Sequence, residues 1–236
     1  MIRERGVRYI RPDDSTVGWS EAMKTATERV SQRTGRTAGL HETTAEWVML
    51  SFPRGYQGLA VDVGASDGVY ESNTMILEES RWTVLCIEPN PNFYTELKRR
   101  RCFPMWAACD APERINGAVA DFHLHLDDPS CYSALRPTPH PLWKPECGAK
   151  WETITVPVKT LDSCLEEAGF GRLDFVSIDT EGTELDVLKG IDLARWKPKL
   201  LTVEAWDKDN PIVDYLGGCG YRRTGRALVN DYYERR

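Results

Sequence analysis

Val61-Asp62-Val63-Gly64-Ala65-Ser66-Asp67-Gly68 decides the fold: an apolar run stops at a turn punctuated by two glycines, with a carboxylate on each side. Leu59, Ala60, Val61 and Val63 read as a buried parallel strand, and Tyr70 to Ser80 as the helix that follows. Gly64 and Gly68 let the backbone turn tightly and approach a ligand where a β-carbon would collide. In an open α/β sheet, ligands bind at the carboxyl end of such a strand. A second apolar run, Thr83 to Ile87, ends in Glu88-Pro89-Asn90-Pro91. Glu88 lies about 20 residues past the glycine turn, the offset at which a strand-end carboxylate grips ribose hydroxyls.

The glycine pattern discriminates among nucleosides. A dinucleotide fingerprint needs G-x-G-x-x-G to bring a helix N-terminus against a pyrophosphate. Here the turn lacks the middle glycine and sets Asp67 where a pyrophosphate would be repelled. A ligand with a cationic or zwitterionic end fits better. S-adenosylmethionine, with a sulfonium, an amino-acid tail and a ribose, needs no phosphate cradle.

A third segment, Leu173 to Gly190, reads LDFVSIDTEGTELDVLKG and joins a strand to a helix with acidic residues packed around the junction. Leu185, Leu188 and Ile191 recur at helical spacing, and Gly190 lies near the helix end. VDVGASDG, CIEPNP and DFVSIDTEGTELDVLKG, in this order, resemble the FkbM family of S-adenosylmethionine-dependent methyltransferases. VKTLD at 158–162 is similar to the segment that precedes the third motif in that family. The resemblance covers about residues 58–233. The family more often has Val where Thr180 stands and Asn where Ser66 stands, and neither departure removes a carboxylate. It implies a Rossmann-like class I methyltransferase fold, α/β, with a seven-stranded, mostly parallel sheet, one antiparallel strand and helices on both faces. Residues 1–57 are then an N-terminal extension with an edge helix, and 58–236 the methyltransferase domain.

The expected donor contacts are Asp62, Gly64, Ala65, Ser66, Asp67, Gly68, Glu88, Pro89, Asn90, Ala108, Asp110 and Asp179. Asp179, Glu181 and Glu204 lie at strand ends near the transferred methyl group and are the catalytic candidates. Methyl transfer from a sulfonium is an in-line displacement that needs positioning and, for a hydroxyl acceptor, a base. Crowded carboxylates raise the pKa of one member and make it a better base near neutrality. The same crowding suits a divalent cation that lowers the hydroxyl's pKa. The sequence leaves both readings open, and no metal is assigned. Glu184 reads as a first-turn carboxylate that complements the helix dipole.

The 236 residues are 41% hydrophobic, enough for one sizeable core, and the formal charge of −6 argues against a protein that coats nucleic acid. Arg3, Arg5, Arg8 and Arg11 still leave room for a basic arm, and Arg99 to Arg101 read as a solvated helix end. No stretch reads as a signal peptide or membrane span. The seven cysteines are odd in number, lack a C-x-x-C pair and read as reduced thiols in the cytoplasm.

Residues 1–40 read as a partly ordered arm with a helix from Ser20 to Val30, and Trp47, Val48 and Leu50 as a short helix on the sheet edge or over the cofactor. Met105 to Cys109 reads as a third strand ending in Asp110, and Lys199 to Glu204 as a fifth. Asp209 to Leu216 suits a helix broken by Gly217 to Gly220, followed by a terminal hairpin around Gly225. Ala120 to Leu126 and Thr153 to Val158 alternate like half-covered strands. Between them, 127–152 carries five prolines with Tyr132, Ser133, His140, Trp143 and Trp151 and reads as a substrate lid. Cys131, His140 and Cys147 read as unligated loop residues.

The acceptor implied by the resemblance is a hydroxyl on a sugar, glycan or small molecule. RNA cap or other nucleic-acid methylation is an alternative, opposed by Glu204 where a ribose methyltransferase carries lysine. A non-catalytic cofactor-binding scaffold is the third, opposed by the intact carboxylates at 62, 88, 179, 181 and 204.

Overall fold

Successive residues of a strand point to opposite faces, and β1 (Leu59–Val63) uses both. Val61 and Val63 join one buried cluster, and Ala60 joins another. β2 (Thr83–Ile87) divides the same way, with Leu85 and Ile87 against Val84 and Cys86. A sheet that is apolar on both faces must be covered on both, which requires helices from crossover connections.

The computed structural model describes residues 25, 28, 29, 32, 40–126, 133–136, 150–206, 210–227 and 229–236. After α1 (Leu40–Leu50) and β1 come α2 (Met75–Glu79), β2, α3 (Pro91–Arg100), β3 (Pro104–Met105), β4 (Ala108–Cys109), β5 (Val119–His125) and β6 (Trp151–Lys159). Then follow α4 (Leu161–Glu167), β7 (Phe175–Ile178), α5 (Glu184–Lys189), α6 (Leu193–Trp196), β8 (Leu200–Glu204), α7 (Pro211–Gly218), β9 (Tyr221–Ala227) and β10 (Asn230–Arg235). The seven-stranded sheet has the order β3-β2-β1-β7-β8-β10-β9, and a three-stranded sheet has the order β4-β6-β5. β10 alone runs antiparallel to the other strands of the large sheet. The chain steps outward from β1 to β3 and resumes on the other side of β1 at β7, so the topological switch point lies between β1 and β7.

One face is covered by α4, α5, α6 and α7 through Leu161, Leu165, Val187, Leu188, Trp196 and Leu216. The other is covered by α1, α2 and α3 through Trp47, Val48, Leu77 and Leu97. Trp47 meets Phe175 and Tyr232 edge-on, with ring centroids 6.4 and 5.0 Å apart, and Thr44 Oγ1 lies 2.7 Å from the Tyr232 hydroxyl. The helix foreseen around Trp47 thus packs on the sheet. Of the segment read as a helix from Ser20 to Val30, residues 25, 28 and 29 are described, and they are helical. The arginines at 3, 5, 8 and 11 lie outside the described residues.

Several elements differ from the sequence reading. The helix expected from Tyr70 to Ser80 shrinks to α2, because Ser72 Oγ accepts from the amides of Thr74 and Met75 and Glu71 takes a positive φ of 52°. The strand expected from Met105 to Cys109 is two: β3 pairs with β2, and β4 leaves the sheet to pair with β6. Trp106 marks the break, its indole N–H donating to the Pro89 carbonyl at 2.8 Å. α7 continues through Gly217 and Gly218, and Gly225 sits inside β9 opposite Tyr232, beside a bulge, instead of in the turn. Trp151, read as part of the inserted segment, opens β6 and meets His125 edge-on at 4.8 Å.

Arg101 departs furthest from expectation. Read as part of a solvated run, it is 5% exposed and pairs with Glu78. It also donates to the Gly68 carbonyl at 3.0 Å, Ser72 Oγ at 3.2 Å and Thr74 Oγ1 at 3.0 Å. Arg99 and Arg100 are surface residues, paired with Glu96 and Asp67. Cys86, Cys102, Cys109, Cys164 and Cys219 are free thiols. Among the described residues no helix is long and apolar enough to cross a membrane.

If α1 is part of the core, truncating Trp47 should cost as much as opening any large aromatic cavity. Trp47→Ala is expected to lower unfolding free energy in urea by about 3–5 kcal/mol. Trp47→Phe should cost clearly less, because the buried indole N–H has no partner among the described residues to lose. A loss below about 1 kcal/mol in the alanine variant would detach α1 from the fold.

Candidate active site at the carboxyl ends of the strands

Sheet register builds the site. Val63 pairs with Ile87 and with Ile178, and Ile178 pairs with Val203. The next residue in each strand is Gly64, Glu88, Asp179 or Glu204, so these four stand in one row across the ends of β2, β1, β7 and β8. At strand spacing the row spans about 14 Å. Gly64 is the low point of the row. Its φ is +84°, and a β-carbon there would lie 1.7 Å from the Asp179 carbonyl oxygen. No other residue fits at the switch point without displacing β7.

Glu88 forms one end of the row. Its Oε2 accepts from the Ser66 amide and its Oε1 from the Asn90 amide, both at 2.8 Å. Ser66 reaches this position with φ at +48°. Each carboxylate oxygen has a second lone pair, so the pair can still take two hydroxyl donors. Glu88 is 5% exposed, and burial pushes its carboxyl up to about 7 against the pull of those two amides, with the charges of Asp62 and Asp179 adding to the rise.

The remaining donor-contact candidates divide into linings and supports. Ala65 donates its amide to the Ile87 carbonyl at 3.1 Å, which closes the turn against β2. Asp67 Oδ1 accepts from the amides of Val69 and Tyr70, and its Oδ2 from Arg100 at 2.7 Å. A β-carbon on Gly68 would come 2.6 Å from both Leu97 Cδ1 and Arg101 Cγ, so this glycine lets the turn lie on α3. Asn90 Oδ1 caps α3 by accepting from the Asn92 amide at 3.0 Å, and Pro89 offers its carbonyl to Trp106. Asp62 points to the α1–α3 face, where its Oδ2 accepts from Thr74 Oγ1 at 2.6 Å. Ala108 and Asp110 belong to the β4 end, and both Asp110 oxygens are held by Arg136 at 2.6 and 2.9 Å. Arg136 also reaches Asp186 at 2.8 Å.

At the other end of the row three carboxylates converge. One oxygen each from Asp179, Glu181 and Glu204 lies within 4.8 Å of the other two. The loop that brings Glu181 back toward the strand ends is tied by Glu184. Its Oε1 accepts from the Thr180 amide at 3.0 Å, Thr180 Oγ1 at 3.1 Å and the Gly182 amide at 2.9 Å. This lets Glu181 hold φ at +58° ahead of Gly182 at +106°. Glu184 is therefore a loop clamp as well as a first-turn residue. Glu204 is 4% exposed, and its Oε2 has no hydrogen-bond partner among the described residues. Burial, then the charges of Asp179, Glu181 and Glu184, raise the Glu204 carboxyl well above the ordinary carboxylate range. Asp179 keeps a water-facing edge, yet burial, followed by Glu184, pushes it up to about 7.

Sequence reasoning missed His41, Asn73, Thr74, Arg101 and Asn230. His41 Nδ1, at the start of α1, lies 2.9 Å from Asn73 Oδ1, and Asn73 Nδ2 donates to Ser177 Oγ at 3.3 Å. Burial lowers the His41 pKa against the opposing pull of Asn73, Glu71, Asp62 and Glu42. Asn230 sits opposite Glu204 in β10, and its Nδ2 is likewise buried without a partner among the described residues. No local pattern marks these residues, since each is brought in by a crossover or by the antiparallel strand.

Of the acceptor-side residues, Tyr132, His140 and Trp143 lie outside the described residues, as do Cys131 and Cys147. Ser133 Oγ accepts from the His125 amide at 3.1 Å, and Ala134 bridges to His123, which fastens 133–136 along β5. A cavity of about 620 Å³ lined by Met49, Phe52, Tyr56 and Trp82 opens before β1 and β2, at the opposite end of the strands from the carboxylate row.

No curated protein matches the chain. Among solved structures, the FkbM methyltransferase of Methylobacillus flagellatus KT is 15% identical, with a TM-score of 0.47, over 90% of this chain and 58% of that one, so this chain spans under two thirds of its length. The N-terminal domain of human METTL16 in complex with SAH is 12% identical, with a TM-score of 0.45, over 90% of this chain and 79% of that one. A methyltransferase from Geobacter sulfurreducens is 13% identical, with a TM-score of 0.45, over 98% of this chain and all 100% of its own. These likenesses are distant, and the assignment rests on the sequence family. The methyltransferase FkbM domain matches residues 62–223, well over half of the chain, which therefore belongs to the FkbM methyltransferase family.

Proposed function

We propose that this protein transfers a methyl group from S-adenosylmethionine to a hydroxyl of a sugar, glycan or other small-molecule acceptor. The observation that carries the reading is the single row Glu88, Gly64, Asp179 and Glu204. It sets the Glu88 carboxylate at one end of a glycine saddle and a carboxylate cluster at the other. The donor would lie across Gly64, with its ribose hydroxyls donating to the free lone pairs of Glu88 and its sulfonium facing the negative end of the row. The acceptor oxygen attacks the methyl carbon in line, the sulfur takes the bonding electron pair, and S-adenosylhomocysteine leaves. A carboxylate whose pKa is raised toward neutrality takes the hydroxyl proton more readily than an ordinary one, and Asp179 combines such a rise with a water-facing edge. The five described cysteines are free thiols, which supports a cytoplasmic location.

A screen of sugars, glycans and capped RNA for the mass gain of one methyl group tests the acceptor class. Transfer to RNA alone would overturn the small-molecule reading. Donor binding is tested separately by calorimetry with S-adenosylhomocysteine. Hydrogen bonds to a charged group are worth about 1.5–3 kcal/mol, so Glu88→Gln should weaken binding about 10- to 100-fold.

The pH dependence follows from the same carboxylate. Glu88 titrates at about 7 in the free protein, and hydroxyl donors favour its ionised form. Affinity for S-adenosylhomocysteine should rise as pH goes from about 6 to about 8, and Glu88→Gln should flatten that rise. Asp179→Asn should instead lower turnover at least ~100-fold while leaving donor affinity within a few fold. Full activity in that variant would remove Asp179 from the chemistry.

A further inference from the structure

We propose that Asp179, Glu181 and Glu204 form a site for one hard divalent cation, Mg2+ or Mn2+, whose open positions receive the acceptor's oxygen. The inference rests on the hydroxyl-methylation reading for its role, though not for the binding itself.

Two independent observations support it. The first is spacing: one oxygen from each carboxylate lies within 4.8 Å of the others. Three oxygens sharing one cation at about 2.1–2.4 Å lie about 3.0–4.2 Å apart, so the carboxylates need close by no more than about 2 Å, which side-chain rotation can supply. The second is a pair of buried polar atoms. Glu204 is 4% exposed, and its Oε2 has no partner among the described residues. Asn230 Nδ2, opposite it across the β8–β10 pair, is buried and unpartnered as well. Buried polar atoms without partners are uncommon because each costs desolvation energy, so two in register beside one cluster mark a place that a ligand or its water shell completes.

The donor set fixes the kind of ion. Three carboxylates and no thiol or imidazole select hard cations that keep water or substrate oxygens in their remaining positions. A divalent ion offsets the charge of three converging carboxylates. It binds the acceptor hydroxyl and lowers its pKa. The O–H bond then breaks with its proton passing to the Asp179 oxygen that does not ligate the ion. The O–CH3 bond forms as the S–CH3 bond breaks, and the electron pair stays on sulfur.

Mn2+ titration of the full chain, followed by electron paramagnetic resonance, tests the site without donor or acceptor. One saturable Mn2+ per chain with a Kd below about 1 mM is expected, displaced by Mg2+. Glu204→Gln and Asp179→Asn should each weaken it at least tenfold. Retained calorimetric binding of S-adenosylhomocysteine would show that each variant is folded. Absence of saturable Mn2+ binding by the wild type, or equal binding by both folded variants, would overturn the cation site. Neither outcome touches the donor reading, which fails only if S-adenosylhomocysteine itself does not bind.

Discussion

Everything at the active edge depends on the register of four adjacent strands. Because Val63, Ile87, Ile178 and Val203 are paired, the residues that follow them must share a row. A one-residue slip would turn those positions to the other face. The alternating packing of Val61 and Val63 against one helical layer, and of Ala60 against the other, fixes that register from both sides. Gly64 depends on it in turn, since β1 and β7 approach so closely there that Asp179's carbonyl occupies the place of a β-carbon.

The row collects acidic groups in a low-dielectric place, and the protein treats them in two ways. Those behind the edge are neutralised. Asp62 meets Thr74, which meets Arg101, and Arg101 meets Glu78, a buried chain that ties α2 and α3 to the turn. Asp110 is likewise closed by Arg136. Those on the edge are not: Glu88 has only two amides, and Glu204 Oε2 has nothing among the described residues. A buried charge left without a cation is expensive. Such groups are found where a ligand completes them, which is why the distinction between the two sets locates function better than acidity alone.

The four strands of the row and both glycines were legible in the sequence, because apolar runs ending in glycine or carboxylate are local signals. Asp179, Glu181 and Glu204 were legible as strand-end residues for the same reason. What was not legible depended on distant partners. Arg101 belongs by sequence to a basic helix end, and only its position under Gly68 and Thr74 buries it. β4 has the composition of a sheet strand but pairs with β6, a segment about fifty residues later in the chain. Trp151 stands in an aromatic, proline-rich stretch, and its place at the start of β6 follows from pairing with His125. Glu184 is a first-turn residue, as read, but its clamp on Thr180 and Gly182 required the left-handed turn between them.

The unneutralised edge also sets how stability and function are linked. Glu88 is held near 7 in the folded chain against an ordinary 4.5, so folding raises its pKa. A carboxyl raised in this way is no burden below its unfolded value and becomes one as pH climbs toward 7, because the folded chain must then ionise a group that the unfolded chain ionises freely. Asp179 carries the same sign. At neutral pH these carboxyls therefore work against the fold. Anything that donates hydrogen bonds to Glu88, or places positive charge between Asp179 and Glu204, removes part of that opposition. Ligand affinity and stability then share one origin, because a ligand that favours the ionised carboxylates stabilises the fold that holds them.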